Sequence, residues 1–401
     1  MDIRRLIPLF DPSVKDWALE ARLLRWLTLL WVLVGIVILF SASYSVALLD
    51  WQDGLYYLKR QLFWICLGLI CFNLLVNSPL HHLLKLSGLA VILFLGLIGV
   101  TLIPDIGVTV NGATRWLPLG SFLIQPSEWI KPFLVLQGAR IFGQWNRLSW
   151  LTRLAWIGIF VLVLAAILAQ PNLSTAAICG ITLWLIALAA GLPYLYLGGA
   201  AVCGVTLGVL SITLKTYQRQ RIISFLNPWA DPSEAGYQLI QSLLAIGSGG
   251  ILGTGFGLSQ MKASLPIQHT DFIFAVYAEE FGFVGSLLLL LMLAAYATVA
   301  LVVAIRALNP VHRLVAVGVT VLLVGQSLLN IGVATGALPT TGLPFPLFSY
   351  GGNSVIASLL AAALLIRVAR ESREADVVPL QPTSYSPRRR RRSRRRETSL
   401  G

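Results

Sequence analysis

The chain has 401 residues, 57% apolar and only 12% charged, with a mean hydropathy of +0.79. An average soluble domain carries about 45–50% apolar and about 25% charged residues, so the composition excludes the soluble-enzyme fold classes and points to a polytopic membrane protein. The net charge of +13 falls to +5 without the eight arginines between Arg388 and Arg396, so the basicity is largely a tail and not a nucleic-acid-binding surface.

The first 21 residues hold Asp2, Arg4, Arg5, Asp11, Lys15, Asp16 and Glu20, which is not the apolar core of a signal peptide. Residues 1–22 read as a cytoplasmic N-terminal segment. The membrane domain is expected over 23–370. A spanning helix needs about 20 apolar residues. Trp26–Leu49 has no charge in 24 positions, and Gln61–Leu84 has none, with His81 and His82 marking its end. Leu86–Pro104 supplies a third span. Trp129–Phe142 is a weaker fourth, since it carries Lys131 and Arg140. Leu154–Leu214 is uncharged for 61 residues, and Gln170-Pro171-Asn172 and Gly191-Leu192-Pro193 divide it into three spans. Phe281–Ile305 is the eighth. Leu314–Ile366, 53 uncharged residues broken by several prolines and glycines, supplies the ninth and tenth. The expected fold is therefore an all-α polytopic membrane protein with ten transmembrane helices and a large outer loop between spans seven and eight.

Ten spans put both termini on one side. With that side cytoplasmic, 22 of the 30 Lys and Arg fall inside and seven outside, and without the arginine tail the contrast is still 14 to seven. The outer face then receives Asp105–Ser127, Lys215–Thr270 and Val333–Gly352, all rich in Gly, Pro and polar residues. Residues 371–401 contain three prolines, several serines and little apolar content, so they are expected to be a disordered cytoplasmic tail dispensable for catalysis. Cys66, Cys71, Cys179 and Cys203 lie in apolar runs without ligand spacing and read as packing residues.

Ionisable groups at membrane depth are costly and default to functional hypotheses. Glu128, Lys131, Asp271, Glu279 and Glu280 qualify, each near the outer end of a span, with Arg115 and His269 close by. Asp271 has two readings: a carboxylate at a helix N-terminus, or a general base whose pKa is raised by desolvation. If the chain is helical from Asp271, Glu280 lies roughly 13 Å up the axis on the opposite face, so a two-carboxylate glycosidase pair is not supported. Structural pairing suits both glutamates better. Glu128 and Lys131 are three apart on one helix face, as an ion pair would be. Arg115 suits a lipid phosphate or pyrophosphate, or equally a headgroup anchor. The glycines of Gly247–Gly257 lack the Lys-Ser/Thr of a nucleotide loop. Irregular backbone at this depth requires protein or a wet cavity around it, which suggests an outward-facing cavity.

Five stretches in order carry a resemblance: Asn111–Gly120 (NGATRWLPLG), Gln125–Lys131 (QPSEWIK), Phe225–Gly250 (FLNPWADPSEAGYQLIQSLLAIGSGG), His269–Glu280 (HTDFIFAVYAEE) and Gly342–Gly352 (GLPFPLFSYGG). With these the chain resembles the SEDS family (shape, elongation, division and sporulation), the ten-span polymerases of bacterial peptidoglycan. It departs from the family pattern at Asn172, where an Asp is frequent, at Ile267, where a Glu is frequent, and at Asn353, where a Ser is frequent. The resemblance implies polymerisation of lipid II on the outer face of the plasma membrane. It makes Asp271 the base on the acceptor sugar's 4-hydroxyl. Arg115 and Lys131 would stabilise pyrophosphate, with Glu128 orienting Lys131. Trp116, Gln125, Lys262, His269 and Thr270 join them as candidate substrate contacts. It implies as partners a class B penicillin-binding transpeptidase and other division proteins, and as cofactor nothing beyond a candidate divalent cation. Gly255–Lys262 looks more like the septal division branch, FtsW, than the elongation branch, RodA. A lipid II flippase and a non-enzymatic scaffold for the transpeptidase stay open as alternatives. The lack of any charge in spans five to seven weighs against a transport path.

Overall fold

The structure, a computed structural model, describes residues 14–15, 17–110, 113–120, 122–234, 236–263 and 270–374. The arginine tail lies outside them. The described chain is helical with one small sheet. The helices are α1 (Leu19–Trp51), α2 (Tyr56–Asn77), α3 (Leu80–Thr101), α4 (Pro126–Gly143), α5 (Trp150–Ala169), α6 (Leu173–Ala189), α7 (Tyr194–Leu214), α8 (Thr216–Leu226), α9 (Tyr237–Ser248), α10 (Ile273–Arg306), α11 (Pro310–Thr320), α12 (Gln326–Ala334) and α13 (Gly352–Glu374). Among the described residues eight helical segments are long and apolar enough to cross a membrane, with Pro310–Ala334 counted as one. The 17-residue α6 and the charged α4 occupy the places of the other two expected spans.

Two boundaries differ from the hydropathy reading. The turn between the second and third helices falls at Ser78-Pro79, not at the histidines. Proline disfavours helical backbone in the residue before it, so α2 ends there and His81 and His82 begin α3. The eighth span begins earlier than Phe281. Its helix runs from Ile273 and is interrupted at Gly282, where φ is 65° and ψ is −162°. The sequence between α3 and α4 also holds an element outside the helical reading. Strands β1 (Val108–Val110), β2 (Ala113–Leu119) and β3 (Phe122–Ile124) form an antiparallel sheet in the order β1-β2-β3. Its β-branched and aromatic residues suit a pleated, half-buried surface.

Helix α13 is central. It packs on α1, α2, α4 and α11, and 89% of its most apolar stretch is buried. Helix α7 is peripheral, with only 6% buried. Its exposed apolar side chains are those of a lipid-facing surface. The core joins distant segments: Trp31 of α1 meets Tyr296 of α10 edge-on at 5.5 Å and Phe345 of the 335–351 segment at 6.3 Å. That segment is irregular yet buried, since Leu343, Phe345, Leu347 and Phe348 are all at most 3% exposed. Irregular backbone at such depth is stable only when protein satisfies its polar groups. Gln326 donates to Pro344 O at 2.7 Å, Asn330 to Leu343 O at 2.9 Å and Gln61 to Ser349 O at 3.2 Å.

The break at Gly282 is satisfied in the same way by the Gly-rich loop. Phe283 N donates to Gly250 O at 2.9 Å and Val284 N to Ile251 O at 3.1 Å, while Thr254 N and Gly255 N donate to the Glu279 and Glu280 carbonyls at 2.9 and 3.1 Å. A Cβ at Gly282 would stand 2.4 Å from Gly253 N and 2.6 Å from Ile251 O. Gly282→Ala is therefore expected to destabilise the protein by more than the ~1–3 kcal/mol of a strained backbone alone. A lowered thermal midpoint of the purified variant in detergent is the measurement; an unchanged midpoint contradicts this account of the break.

Candidate active site

Asp271 lies just before α10, partly buried, and does not cap it: the residue at the helix boundary is Phe272, and no side chain caps the first turn. The local backbone is fastened instead. Asn330 of α12 donates to Asp271 O at 2.9 Å, and Ser349 Oγ donates to Thr270 O. Ser349 Oγ in turn accepts from Phe345 N at 2.9 Å.

Two arginines flank the carboxylate electrostatically, but neither forms an ion pair with it. Each is held by other partners. Arg221 of α8 donates to Thr340 O at 3.1 Å and to Tyr217 Oη, with its guanidinium 4.5 Å from the Tyr217 ring centroid. Arg115 of β2 donates from Nε to Gln170 O at 3.0 Å and from Nη2 to Pro171 O. Those carbonyls follow the C-terminus of α5, where a cation is favoured by the helix dipole. Gly342 has a φ of 73°, and a Cβ there would stand 3.7 Å from both Nη atoms of Arg221 and from Asp271 Oδ2. The glycine marks where the 335–351 backbone closes on the Asp271 carboxylate and the Arg221 guanidinium together. Burial pushes the Asp271 carboxyl above its usual range, while Arg221 and then Arg115 pull it back down.

The second part of the site is the Glu128–Lys131 pair near the start of α4. Its N···O distance is 2.6 Å and each side chain is 5% exposed. Lys131 also donates to Gln326 Oε1 at 3.2 Å. Gln125 N and Trp129 Nε1 both donate to Asn353 Oδ1, at 3.1 and 2.8 Å, and Asn353 returns a bond to Leu123 O at 2.9 Å. Asn353 thus joins the start of α13 to β3 and α4. The Gln125 side chain contacts Ser127 at 3.4 Å.

The other sequence candidates are placed less centrally. Trp116 stands opposite Val108 in the sheet. Lys262 donates to Gly257 O at 2.6 Å and lies 3.9 Å from Glu280, which also accepts from Ser41. Glu279 accepts from Gln260 N at 2.8 Å, Met261 N at 3.2 Å and Ser259 Oγ. Both glutamates thus hold the loop that follows the Gly-rich segment. His269 lies outside the described residues. Asn172 caps α6, accepting from Thr175 N at 3.3 Å.

Residues not singled out from the sequence are Arg221, Gly342, Gln326 and Asn330. The two amides carry a signal of their own: they are polar side chains one turn apart in the uncharged run from Leu314. Among the described residues no group of three His, Cys, Asp or Glu side chains is placed to hold a metal ion.

A carboxylate and two tethered guanidiniums are thus gathered where the helices of an integral membrane protein give way to connecting segments. The family model described as "Cell cycle protein", FtsW/RodA/SpoVE, matches residues 21–374, and the chain belongs to that family. It is 56% identical over 379 residues to the probable peptidoglycan glycosyltransferase FtsW of Synechocystis sp., covering 94% of this chain and 96% of that protein. Among solved structures it resembles a chain of a peptidoglycan synthase complex that coordinates polymerisation and crosslinking, with 30% identity, a TM-score of 0.72 and coverage of 87% of this chain and 97% of that one. It also resembles the rod shape determining protein RodA of Thermus thermophilus, with 28% identity, a TM-score of 0.64 and coverage of 87% and 96%.

Proposed function

We propose that this protein is a peptidoglycan glycosyltransferase that polymerises lipid II on the outer face of the bacterial plasma membrane. The observation that carries the reading is the Asp271 carboxylate, raised by burial and flanked by two arginines that do not pair with it. An ion-paired carboxylate would be a weak base. This one is kept free by the carbonyl tethers on Arg115 and Arg221. Asp271 takes the proton from the acceptor sugar's 4-hydroxyl as that oxygen bonds to the anomeric carbon of the growing chain. The bond from the anomeric carbon to the phosphate oxygen breaks, and undecaprenyl pyrophosphate leaves with the electron pair. Arg115, Arg221 and Lys131 supply positive charge for the pyrophosphates.

With ten crossings, the excess of Lys and Arg on one set of connections supports a cytoplasmic side for both termini. The likeness to an FtsW supports work at the division septum, and the likeness to a synthase complex supports a class B penicillin-binding transpeptidase as partner, alongside other division proteins. The test is conversion of lipid II to glycan strands by the purified full chain in liposomes, with and without that partner. Absence of polymer in both arms, from correctly inserted protein, defeats the reading.

Arg115 gives a graded check. Arg115→Lys is expected to retain part of the activity, because an ammonium supplies charge but not the two parallel hydrogen bonds of a guanidinium. Arg115→Ala is expected to lose more, in turnover and in lipid II binding. Both kept intact by Ala would return Arg115 to a purely structural clasp on the turn after α5.

A further inference from the structure

The span Pro310–Ala334 is not a continuous α-helix. Val321–Gly325 forms a turn of π-helix between α11 and α12. Such a turn carries an extra residue and is frequent at functional sites. One residue turns everything beyond it by about 100° about the helix axis. The residues directly beyond are Gln326 and Asn330, one turn apart on the same face and 3% and 1% exposed.

Each amide is used on two sides. Gln326 accepts from Lys131 Nζ at 3.2 Å and donates to Pro344 O at 2.7 Å. Asn330 spends its N–H groups on Asp271 O and Leu343 O, both at 2.9 Å. Leu343 and Pro344 are adjacent and follow Gly342, which lies against Arg221 and the Asp271 carboxylate. One short stretch of backbone is thus gripped by both amides, with the lysine pair on one side and the base on the other. Gln326 does this by accepting on one side and donating on the other, and Asn330 by donating twice from one amide nitrogen. The neighbouring Ser327 hydroxyl, by contrast, turns back to Leu323 O of its own helix at 2.6 Å.

We propose that the π-turn sets the phase of α12 so that Gln326 and Asn330 act as positioning residues, locking the Glu128–Lys131 pair and Asp271 into one geometry through residues 342–344. The inference rests on the glycosyltransferase reading. The reaction needs a base at the hydroxyl and positive charge at pyrophosphate at the same moment, and a misplacement of about 1 Å costs on the order of 100-fold in rate.

The test compares Gln326→Leu, Asn330→Ala and the double variant in the full chain reconstituted in liposomes. It measures kcat and KM for lipid II and the monodisperse folded fraction. Each single change is expected to lower kcat by roughly 10- to 100-fold with little change in KM. The double variant is expected to be no slower than the worse single, because both act through one segment. Effects that multiply, or a kcat loss that only tracks lost folded protein, overturn the proposal. Deleting Val321 should convert the π-turn to α-helix, rotate both amides away and match the double variant. A folded deletion variant with wild-type rate overturns the phase-setting role; if it does not fold, the point variants still decide. An inactive wild type alongside would instead defeat the glycosyltransferase reading.

Discussion

Replacing Asp271 by asparagine is expected to stop glycan polymerisation while leaving the protein folded. Among the described residues the Asp271 side chain caps no helix and carries no ion pair, so the near-isosteric amide should leave the fold intact. What it removes is the ability to accept a proton at neutral pH, a contribution worth about 10²–10⁴ in rate. Polymer formed at wild-type rate by a monodisperse Asp271→Asn protein would end the general-base assignment. The pH profile carries the same logic. The base works only when ionised, so activity should fall as pH drops through its pKa, which burial places above the usual carboxylate range. Arg221 favours the ionised form. Arg221→Gln should therefore move the acidic limb to higher pH. A limb that stays put, or moves down, contradicts the coupling of Arg221 to the base.

The second large effect is expected at the Glu128–Lys131 pair. Lys131→Met leaves the Glu128 carboxylate 5% exposed without its cation. Removing one partner of a buried pair typically costs about 3–5 kcal/mol, because the other charge stays desolvated. The single variant should be poorly folded as well as inactive. Adding Glu128→Gln removes the stranded charge and should restore much of the thermal stability. It should not restore polymerisation, since no ammonium remains for pyrophosphate or for Gln326 to orient. Thermal melting and lipid II turnover on the same preparations separate the two roles. Recovery of activity along with stability in Glu128→Gln/Lys131→Met would make the pair structural only.

These two sites differ in how far they could be read from the sequence. The Glu128–Lys131 pair was visible at once, because two charges three residues apart in an apolar run share a helix face whatever surrounds them. Asp271 stood out as a carboxylate at the edge of a span, but with two readings open. The helix that follows Asp271 starts at Ile273, ahead of the expected Phe281, and breaks at Gly282. Such a break cannot be found from hydropathy, which sees only an apolar run. The sheet between α3 and α4 was missed for a related reason: its strands are only three to seven residues long and their period is lost beside the long apolar helices.

The sequence by itself determined the membrane class, the order of the helical segments and the collection of ionisable groups near one end of them. Bilayer thickness sets the length of a span, and a buried charge is too costly to occur by accident, so both are written locally. Only the tertiary structure decided which groups meet. Arg221 comes to flank Asp271 from α8, Arg115 is drawn onto the carbonyls beyond α5, and Gly342, after α12 in the chain, lies against the Asp271 carboxylate and Arg221. The phase of Gln326 and Asn330 also belongs to the fold, because a π-turn has no periodicity of its own in an all-apolar run. Contacts between distant segments depend on how helices are rotated and pressed together. That rotation is settled by packing around α13 and the buried 335–351 segment, not by any residue's near neighbours in the chain.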